Sequence, residues 1–498
     1  MINYINLKKL ISPWISSNKI PNIRLNDMTL NSKKVHKNTL FVAVSGKKQH
    51  GKNFIFEAIQ NGSKAVIVET NDVLKHGKII YIDLIPIIFF YQLSRDLSML
   101  SGKFYYHPSR LIKLIGITGT NGKTTVSYFI AKLLNFLGKT SGIIGTLGYG
   151  CLNNLKKSEN TTCSAIKCQK ILNYFLKKKV HTVSMEVSSH GLSQNRVDNL
   201  YFSIAIFTNI THEHLDYHKK MTDYINVKWK LFSRLFVSKY IINIDDNIGK
   251  YWAQKLPKSI VVSTKKNISK KFKNLKIYTK KILFHNNGVK ILIASSWGSG
   301  IVNIKIFGEF NINNLLISVA ALLILGHSFV SILNYIEKIN MPNGRMEIFY
   351  LKKVPKIIID YAHTPDALKQ LLITVILHFK QNIYVVFGCG GNRDHKKRAM
   401  MGQICEKYAK NIIITNDNPR YEDEEKIFLD IKSGIKNLNN VKCIPSRENA
   451  IYYAVNNCNK SDIIVILGKG HEEYQQVNSK KYFYSDKIVV NNILKKIK

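Results

Sequence analysis

Short apolar runs that end in polar residues recur along the chain. Near the start, "TLFVAV" and "KAVIVE" are separated by Gly-bearing turns, a pattern that predicts a small α/β domain. The segment "YQLSRDLSMLSGKFYY" reads as a helix leading to Pro108. It is followed by "LIKLIGITGTNGKTTVSYFIAKLLNFLG" (111–138), which reads as strand, Gly-rich loop and helix. "HTVSMEVSS", "FSIAIFTNI" and "KYIINIDD" predict further strands, each with a polar end, as at the functional edge of an open parallel sheet. From about residue 342, "KIIIDYAHT", "IYVVFGCGG", "NIIITNDNP" and "DIIVILGKG" form four apolar strands with helical stretches between them, a second doubly wound sheet. The expected fold class is therefore α/β in three domains, 1–90, 91–341 and 342–498. The central one carries a P-loop ATPase parallel sheet and the last a Rossmann-like doubly wound sheet.

Composition changes this picture little. The chain has 498 residues, 45% of them hydrophobic, enough for several cores. Its formal net charge of +42, from 74 Lys+Arg against 32 Asp+Glu, raises nucleic acid or an anionic membrane as partners. The lysines are spread throughout, Asn and Ile are abundant, and no basic stripe is interleaved with aromatics, so a nucleotide bias explains the charge and no nucleic-acid partner is expected. Seven scattered cysteines without CxxC or zinc spacing fit free thiols in a reducing compartment. The most apolar stretch, "IIYIDLIPIIFFY" (79–91), contains Asp83 and Pro86 and is too short to span a membrane. The N-terminus has no long apolar secretion signal, so the expectation is a cytoplasmic monomer without membrane insertion.

"GTNGKTT" (119–125) follows a strand and opens a helix, the context a phosphate loop requires. Glycines let backbone N–H groups approach phosphate oxygens, and the helix N-terminus favours their charge. Lys123 would reach the β/γ-phosphates and Thr124 would ligate Mg²⁺. The commoner spacing needs Gly where Ile117 stands; the glycines here are Gly116, Gly119 and Gly122. A Gly-rich turn with an incidental lysine is the alternative. Glu186, after an apolar run, is a candidate Mg²⁺ ligand or an exposed strand-end acid. "THEHLDYHKK" offers Glu213, His214, Asp216 and His218, and Asn160, Thr161 and Thr162 read as turn residues. "NIIITNDNPRYED" (411–423) is a buried strand spilling into a loop where Asp417, Asn418 and Pro419 are ordinary turn formers, or where Arg420 is held out to grip a carboxylate.

Taken in order, these motifs resemble the ATP-dependent Mur ligases of peptidoglycan synthesis over essentially the whole chain. The set includes "GTNGKTT", "NTT" (160–162), "MEVSSHGLSQNR" (185–196), "HLDYH" (214–218), "GEFNINN" (308–314), "NGRME" (343–347), "DYAHTPDAL" (360–368), "GCGGNRD" (388–394), "DNPR" and "GKGHEEYQ" (468–475). The resemblance implies that ATP activates a carboxylate as an acyl phosphate, which the amine of an incoming amino acid then attacks. It is similar to the members that add the third residue of the stem peptide to UDP-N-acetylmuramoyl-L-alanyl-D-glutamate. It also implies the roles of the domains: 1–90 holds the UDP-linked substrate, 91–341 ATP and 342–498 the amino acid.

The same resemblance assigns residues. Gly119, Thr120, Asn121, Gly122, Lys123, Thr124 and Thr125 would bind ATP phosphates, Asn311 and Asn314 would face adenine, Arg345 the phosphates and Asp360 the ribose. Glu186 and His214 would hold Mg²⁺ beside Thr124, and Lys228 in "INVKWKLF" matches a lysine that takes up CO₂ to become N6-carboxylysine, a carbamate able to organise metal. The catalytic set is thus Lys123, Glu186, His214 and Lys228. Leu30, Ser32, Asn160, Thr161, Thr162, Ser188, Gln194 and Arg196 would contact the UDP-linked substrate. The amino acid would meet Arg393, Asp417, Asn418, Pro419, Arg420, Gly468 and Glu472. The resemblance also reads DNPR as the mark of meso-diaminopimelate rather than L-lysine. These substrates differ by one distal carboxylate, which Arg420 can take in a bidentate fork while Glu472 accepts from the distal amine.

Some positions depart from the family's pattern. His212 and Glu213 stand where Arg-Asp is common, Asn392 stands in "GGNRD", Ser446 precedes Arg447, and the loop 45–51 is unusually basic. The other readings are an L-lysine-adding relative, a folylpolyglutamate synthetase-like ligase, a nucleic-acid-stimulated P-loop ATPase and a non-catalytic scaffold.

Overall fold

The strand Ile463–Leu467 explains why the C-terminal runs are uniformly apolar. Ile463, Val465 and Leu467 enter one buried core, and Ile464 and Ile466 enter another on the opposite face. A parallel strand covered on both faces has no polar side to show. The structure, a computed structural model, describes residues 4–16, 18–46, 49–266, 268, 272–351 and 354–497. The chain forms two compact units. The first comprises Met1–Thr118, Gly138–Ile206 and Asn226–Tyr240, and the second Gly119–Leu137, Phe207–Ile225 and Ile241–Lys498.

In the first unit, an N-terminal sheet has the order Asp27–Thr29, Thr39–Ala43, Ser63–Thr70, Ile85–Tyr91, Ile79–Ile82. The first four strands are parallel and the last pair antiparallel. The apolar stretch 79–91 is thus a hairpin, turning at Asp83 (φ 48°) and Leu84 (φ 64°), the twin left-handed residues of a tight two-residue turn. The expected helix spans Leu93–Phe104 and presents Leu93, Leu97, Leu100 and Phe104 to the core of this sheet. The same unit contains the parallel strands Ser141–Gly145, Thr182–Glu186 and Lys113–Thr118, adjacent in that order.

The second unit begins with the phosphate-loop helix, Lys123–Phe136. The strands Lys276–His285, Gly288–Ser295 and Gly298–Ile304, unassigned from sequence, form an antiparallel meander. The C-terminal sheet runs Glu347–Phe349, Lys356–Asp360, Ile463–Leu467, Ile383–Phe387, Asn411–Ile414, Val441–Cys443. Its first strand is antiparallel and the rest parallel. Because Ile463–Leu467 comes last in the chain yet inserts beside Ile383–Phe387, strand order breaks there, and an open α/β sheet places its ligand at such a break. No disulfide joins any of the seven cysteines. Among the described residues, no helix is long and apolar enough to cross a membrane.

One buried ion pair staples this last sheet to its covering helices. Arg447 reaches Asp486 with Nε and Nη2, both at 2.8 Å, and Nη2 also donates to the Leu467 carbonyl at 2.8 Å. Ser446 caps the Arg447 helix, its hydroxyl accepting from Asn449 N, so this departure from the family pattern keeps an N-cap. Asp486→Asn leaves a buried guanidinium without its counter-charge and should cost about 3–5 kcal/mol in urea unfolding. A loss below about 1 kcal/mol would show that the pair is not a structural staple.

Candidate active site

The phosphate loop is held from outside its own helix. Thr120 N donates to Asn209 O at 2.8 Å, Asn121 N to Asn209 Oδ1 at 2.9 Å, and Thr208 Oγ1 to Asn121 O at 2.6 Å. Two glycines are dictated by contact. A Cβ on Gly119 (φ +148°) would lie 1.9 Å from Thr208 Oγ1, and one on Gly122 (φ +87°) would lie 2.4 Å from Asn314 Oδ1. Glycine therefore falls where this loop is crowded, at 119 and 122, and Ile117 lies back in the strand. Lys123 Nζ donates to the carbonyls of Gly119 at 2.8 Å and Thr120 at 2.7 Å, so its charge lies over the loop. Thr124 and Thr125 are buried in the first turn of the helix.

Asn314 and Asn311 sit on the helix Glu309–Ile324, which starts at Gly308. Asn314 Nδ2 donates to Asn311 Oδ1 at 3.2 Å, and Asn311 Nδ2 to Phe307 O at 2.8 Å. Nearby, both oxygens of Asp360 accept backbone amides, from Met346 at 2.8 Å and Ala362 at 2.7 Å. Burial pushes the Asp360 carboxyl up, opposed by the charge of Arg345. The Arg345 guanidinium lies 4.6 Å from the Tyr361 ring centroid, and its buried Nε has no hydrogen-bond partner among the described residues.

Glu213 faces His363 Nε2 at 3.6 Å and His214 Nε2 at 3.7 Å. Burial alone would raise its pKa, but His363, His214 and Lys123 outweigh burial and hold the carboxyl well below the usual range. Glu213 thus remains an anion beside the phosphate-loop lysine, as an Asp there would.

In the first unit, Glu186 ends its strand and accepts from Thr146 N at 2.8 Å and Thr146 Oγ1 at 3.1 Å. The Thr162 hydroxyl donates to Glu186 O at 2.9 Å and accepts from Ser188 N at 2.9 Å. Arg196 Nη1 donates to Thr162 O at 2.6 Å, and its Nη2 to Gln194 Oε1 at 2.6 Å. Thr161 joins through Thr146 at 3.2 Å. Five of the residues assigned to the UDP-linked substrate, Thr161, Thr162, Ser188, Gln194 and Arg196, therefore form one network with Glu186; Asn160 is exposed at its edge. Lys228 is 1% exposed, whereas Lys230 on the same helix is only partly buried, so burial selects the same lysine as the motif spacing. Ser32 turns inward, its hydroxyl donating to Glu57, and Leu30 packs against the N-terminal core. Lys47 and Lys48 of the basic loop lie outside the described residues.

The residues assigned to the amino acid by the resemblance converge on loops that leave the carboxyl ends of three adjacent strands, after 387, 414 and 467. Arg420 has a left-handed backbone (φ 54°). Its N–H donates to Gln476 O at 3.1 Å, and its carbonyl accepts from Asn478 N at 2.7 Å. Its Nη1 donates to Gly391 O at 2.7 Å. Burial, and next the charge of Arg393, pull the Arg420 guanidinium below its usual value, while Asp417, Tyr474 and Glu472 oppose the shift. Two cations close together favour an anion between them. Burial, and next Asp417, push Glu472 up; Lys469, Asn418 and His363 pull it down.

Arg398 supports these loops. It pairs with Glu422 at 2.7 and 2.8 Å and with Asp430 at 2.9 Å, and donates to Gly390 O at 3.2 Å. Among the described residues, His395, Glu422 and Asp430 are the one group of acids and histidines close enough to share a metal ion. The guanidinium already bonds both carboxylates, so the group is an ion-pair cluster. Asn392 (φ 53°) tolerates a left-handed backbone and accepts from Tyr421 N, which accounts for an amide in "GGNRD".

Sequence reading passed over Arg398, His363 and Lys469. Nothing separates Arg398 from other basic residues before folding, whereas His363 lies inside the motif DYAHTPDAL. Lys469 carried a signal, since it lies between two glycines inside a motif already singled out.

Family models match three segments. The Mur ligase family catalytic domain matches residues 24–88, the Mur ligase middle domain 117–322 and the Mur ligase glutamate ligase domain 344–470. The chain is 63% identical over 496 residues, covering 100% of both chains, to UDP-N-acetylmuramoyl-L-alanyl-D-glutamate–2,6-diaminopimelate ligase of Wigglesworthia glossinidia brevipalpis. It is 44% identical to the protein of the same name from Buchnera aphidicola subsp. Acyrthosiphon pisum, covering 99% of this chain and 100% of that one. A solved structure of a ligase of that name superposes with TM-score 0.68 at 29% identity, covering 99% of each chain. A Mycobacterium tuberculosis folylpolyglutamate synthase shares the fold at 16% identity, with TM-score 0.61 over 76% of this chain and 92% of its own.

Proposed function

This chain belongs to the Mur ligase family, whose members form peptide-type bonds with ATP, and from that premise we propose that it adds meso-2,6-diaminopimelate to UDP-N-acetylmuramoyl-L-alanyl-D-glutamate. The observation that carries the choice of amino acid is the pairing of Arg420 and Arg393 opposite Asp417 and Glu472 in loops from adjacent strands. Cations and acids side by side suit a substrate with two carboxylates and two ammonium groups.

The reaction proceeds in two displacements. The D-glutamate side-chain carboxylate attacks the γ-phosphorus of ATP, the bond to the bridging oxygen breaks, and ADP leaves. The amine of diaminopimelate then attacks the acyl carbon, loses a proton, and phosphate departs. Two anions must meet in the first step, and Lys123, lying over the loop, supplies the charge that lets them. The loop 119–125 would cradle the phosphates, with the N–H groups of the first helical turn, Lys123, Thr124 and Thr125, toward them while those of Thr120 and Asn121 stay bonded to Asn209; Asn311 and Asn314 would lie toward adenine, Arg345 toward the phosphates and Asp360 toward the ribose.

The donor set fits Mg²⁺ in part. Glu186 and the Thr124 hydroxyl supply the hard oxygens the ion prefers, whereas His214 is a less usual partner. Thr124 and His214 are the residues of the second unit, and Glu186 and Lys228, the last as a carbamate, those of the first, that we assign to metal binding, and a bound ion would supply further charge neutralisation. A carbamate forms when the neutral amine takes up CO₂ and releases a proton. We further propose three domains with boundaries near residues 90 and 341, action as a monomer, and a cytoplasmic location, where such nucleotide precursors and ATP meet.

The test is ADP release from the purified protein with the UDP-linked dipeptide and one amino acid at a time. Diaminopimelate should support turnover, and L-lysine should support at least about a hundredfold less. Lysine as the better substrate would overturn the assignment. Turnover with glutamate and a folate would favour a folylpolyglutamate synthetase-like activity, and stimulation by DNA or RNA alone a nucleic-acid ATPase.

A further inference from the structure

Lys469 is completely buried, and its ammonium has three polar neighbours, two that accept hydrogen bonds and one paired with it by charge. These are Tyr474 O at 2.8 Å, Asn418 Oδ1 at 3.2 Å and Asp417 Oδ1 at 3.3 Å. Asn418 Oδ1 also accepts from Gln476 N at 2.8 Å. With two donors aimed at one end of the side-chain amide, that end must be the oxygen. Its nitrogen is therefore turned the other way, and Asn418 Nδ2 donates to Glu472 Oε2 at 3.2 Å. Lys469 Nζ itself stays 3.9 Å from that oxygen.

We infer that Lys469 is a positioning residue for the incoming amino acid: it neutralises Asp417 and fixes the Asn418 amide, and through that amide it aims an ionised Glu472 at a substrate ammonium. The inference rests on the reading above that Glu472 receives an ammonium group. Without Lys469, Asp417 would lose its buried counter-charge and the Asn418 oxygen would keep only the Gln476 N–H, loosening the amide that presents Nδ2 to Glu472. The groups facing Glu472 are Asp417, Asn418 and Arg420 from the 417–420 loop, Lys469 and Tyr474 from its own segment, and Tyr361 and His363 from the segment after Lys356–Asp360. Of these, Lys469, His363 and Arg420 are the cations that favour the carboxylate. Removing Lys469 raises the pH at which that carboxylate is lost.

The experiment follows ADP release by the full-length protein with diaminopimelate varied across pH. For Lys469→Met, the KM for diaminopimelate should rise on the order of 10–100-fold, while the KM for ATP stays within about twofold. The acid limb of kcat/KM for diaminopimelate should move up by about one pH unit. In a Glu472→Gln background, Lys469→Met should add little, because the two act through one group. If Lys469→Met does not fold, Asn418→Asp carries the test. It still accepts from Lys469 and Gln476 but offers Glu472 no N–H, and should move the same limb in the same direction. An unmoved limb, with effects of Lys469→Met and Glu472→Gln that simply add, overturns the positioning role. A Glu472→Gln variant with unchanged KM for diaminopimelate overturns the underlying reading of the site, and the inference with it.

Discussion

Arg420→Ala is expected to raise the KM for diaminopimelate by roughly 10²–10³-fold and leave the KM for ATP within about twofold. The guanidinium lies beside Arg393 and is partly stripped of water, so a carboxylate placed there gains two hydrogen bonds and relieves two cations at once. Removing it leaves a substrate carboxylate facing Asp417 and Glu472 with only Arg393 to answer. The loop should survive, because its tie to the 474–477 strand runs through the Arg420 N–H and carbonyl and not the side chain. Arg420→Lys should recover only part of the loss, since a single ammonium cannot form the fork. The same substitutions should narrow the preference for diaminopimelate over L-lysine. Steady-state ADP release with each amino acid measures both effects, and an unchanged KM in Arg420→Ala would remove the basis for the substrate assignment.

Lys123→Met should lower kcat by about 10³-fold or more, whichever amino acid is supplied. Lys123 touches two carbonyls of its own loop, but the loop is also held by Thr208, Asn209 and Thr211 through bonds that do not involve it. The fold should therefore persist, with a melting temperature within about 5 °C of the parent. The loss then reflects the missing charge where two anions meet. A variant retaining a tenth of the parent kcat would show that the charge is supplied elsewhere.

What could be read before folding follows from covering. The four C-terminal strands are buried on both faces, so each is a short unbroken apolar run and was legible. Lys276–His285 carries exposed Lys280 and Lys281 in a register that shifts at that point, and its pattern is neither alternating nor continuous. Local sequence could not mark it as a strand. The site shows the same division. Asp417, Asn418 and Pro419 read equally well as ordinary turn formers, so Arg420 was marked as a candidate only by the DNPR motif of the resemblance. Lys228 needed a motif at a fixed distance, and only burial gives it an independent mark. Lys469 stands between two glycines of a motif visible in the sequence, but its partners are set only when the chain folds Asp417, Asn418 and Tyr474 around it. Its role belongs to an arrangement of two segments, 417–418 and 469–474.

The backbone of Arg420 bears on how such an enzyme can change its diet. The path of the loop is written in main-chain bonds to Gln476 and Asn478, which any residue except proline could make at some conformational cost. The side chain proposed as the reader projects from that path, and its one bond to the frame, from Nη1 to Gly391 O at 2.7 Å, does not set the path of its own loop. Scaffold and reader are thus separable at this position: exchange of one side chain can revise which amino acid enters the polymer while the frame beneath it stays in register. An insertion or deletion within 474–478 would do the opposite, moving the frame and misplacing a guanidinium that is chemically intact.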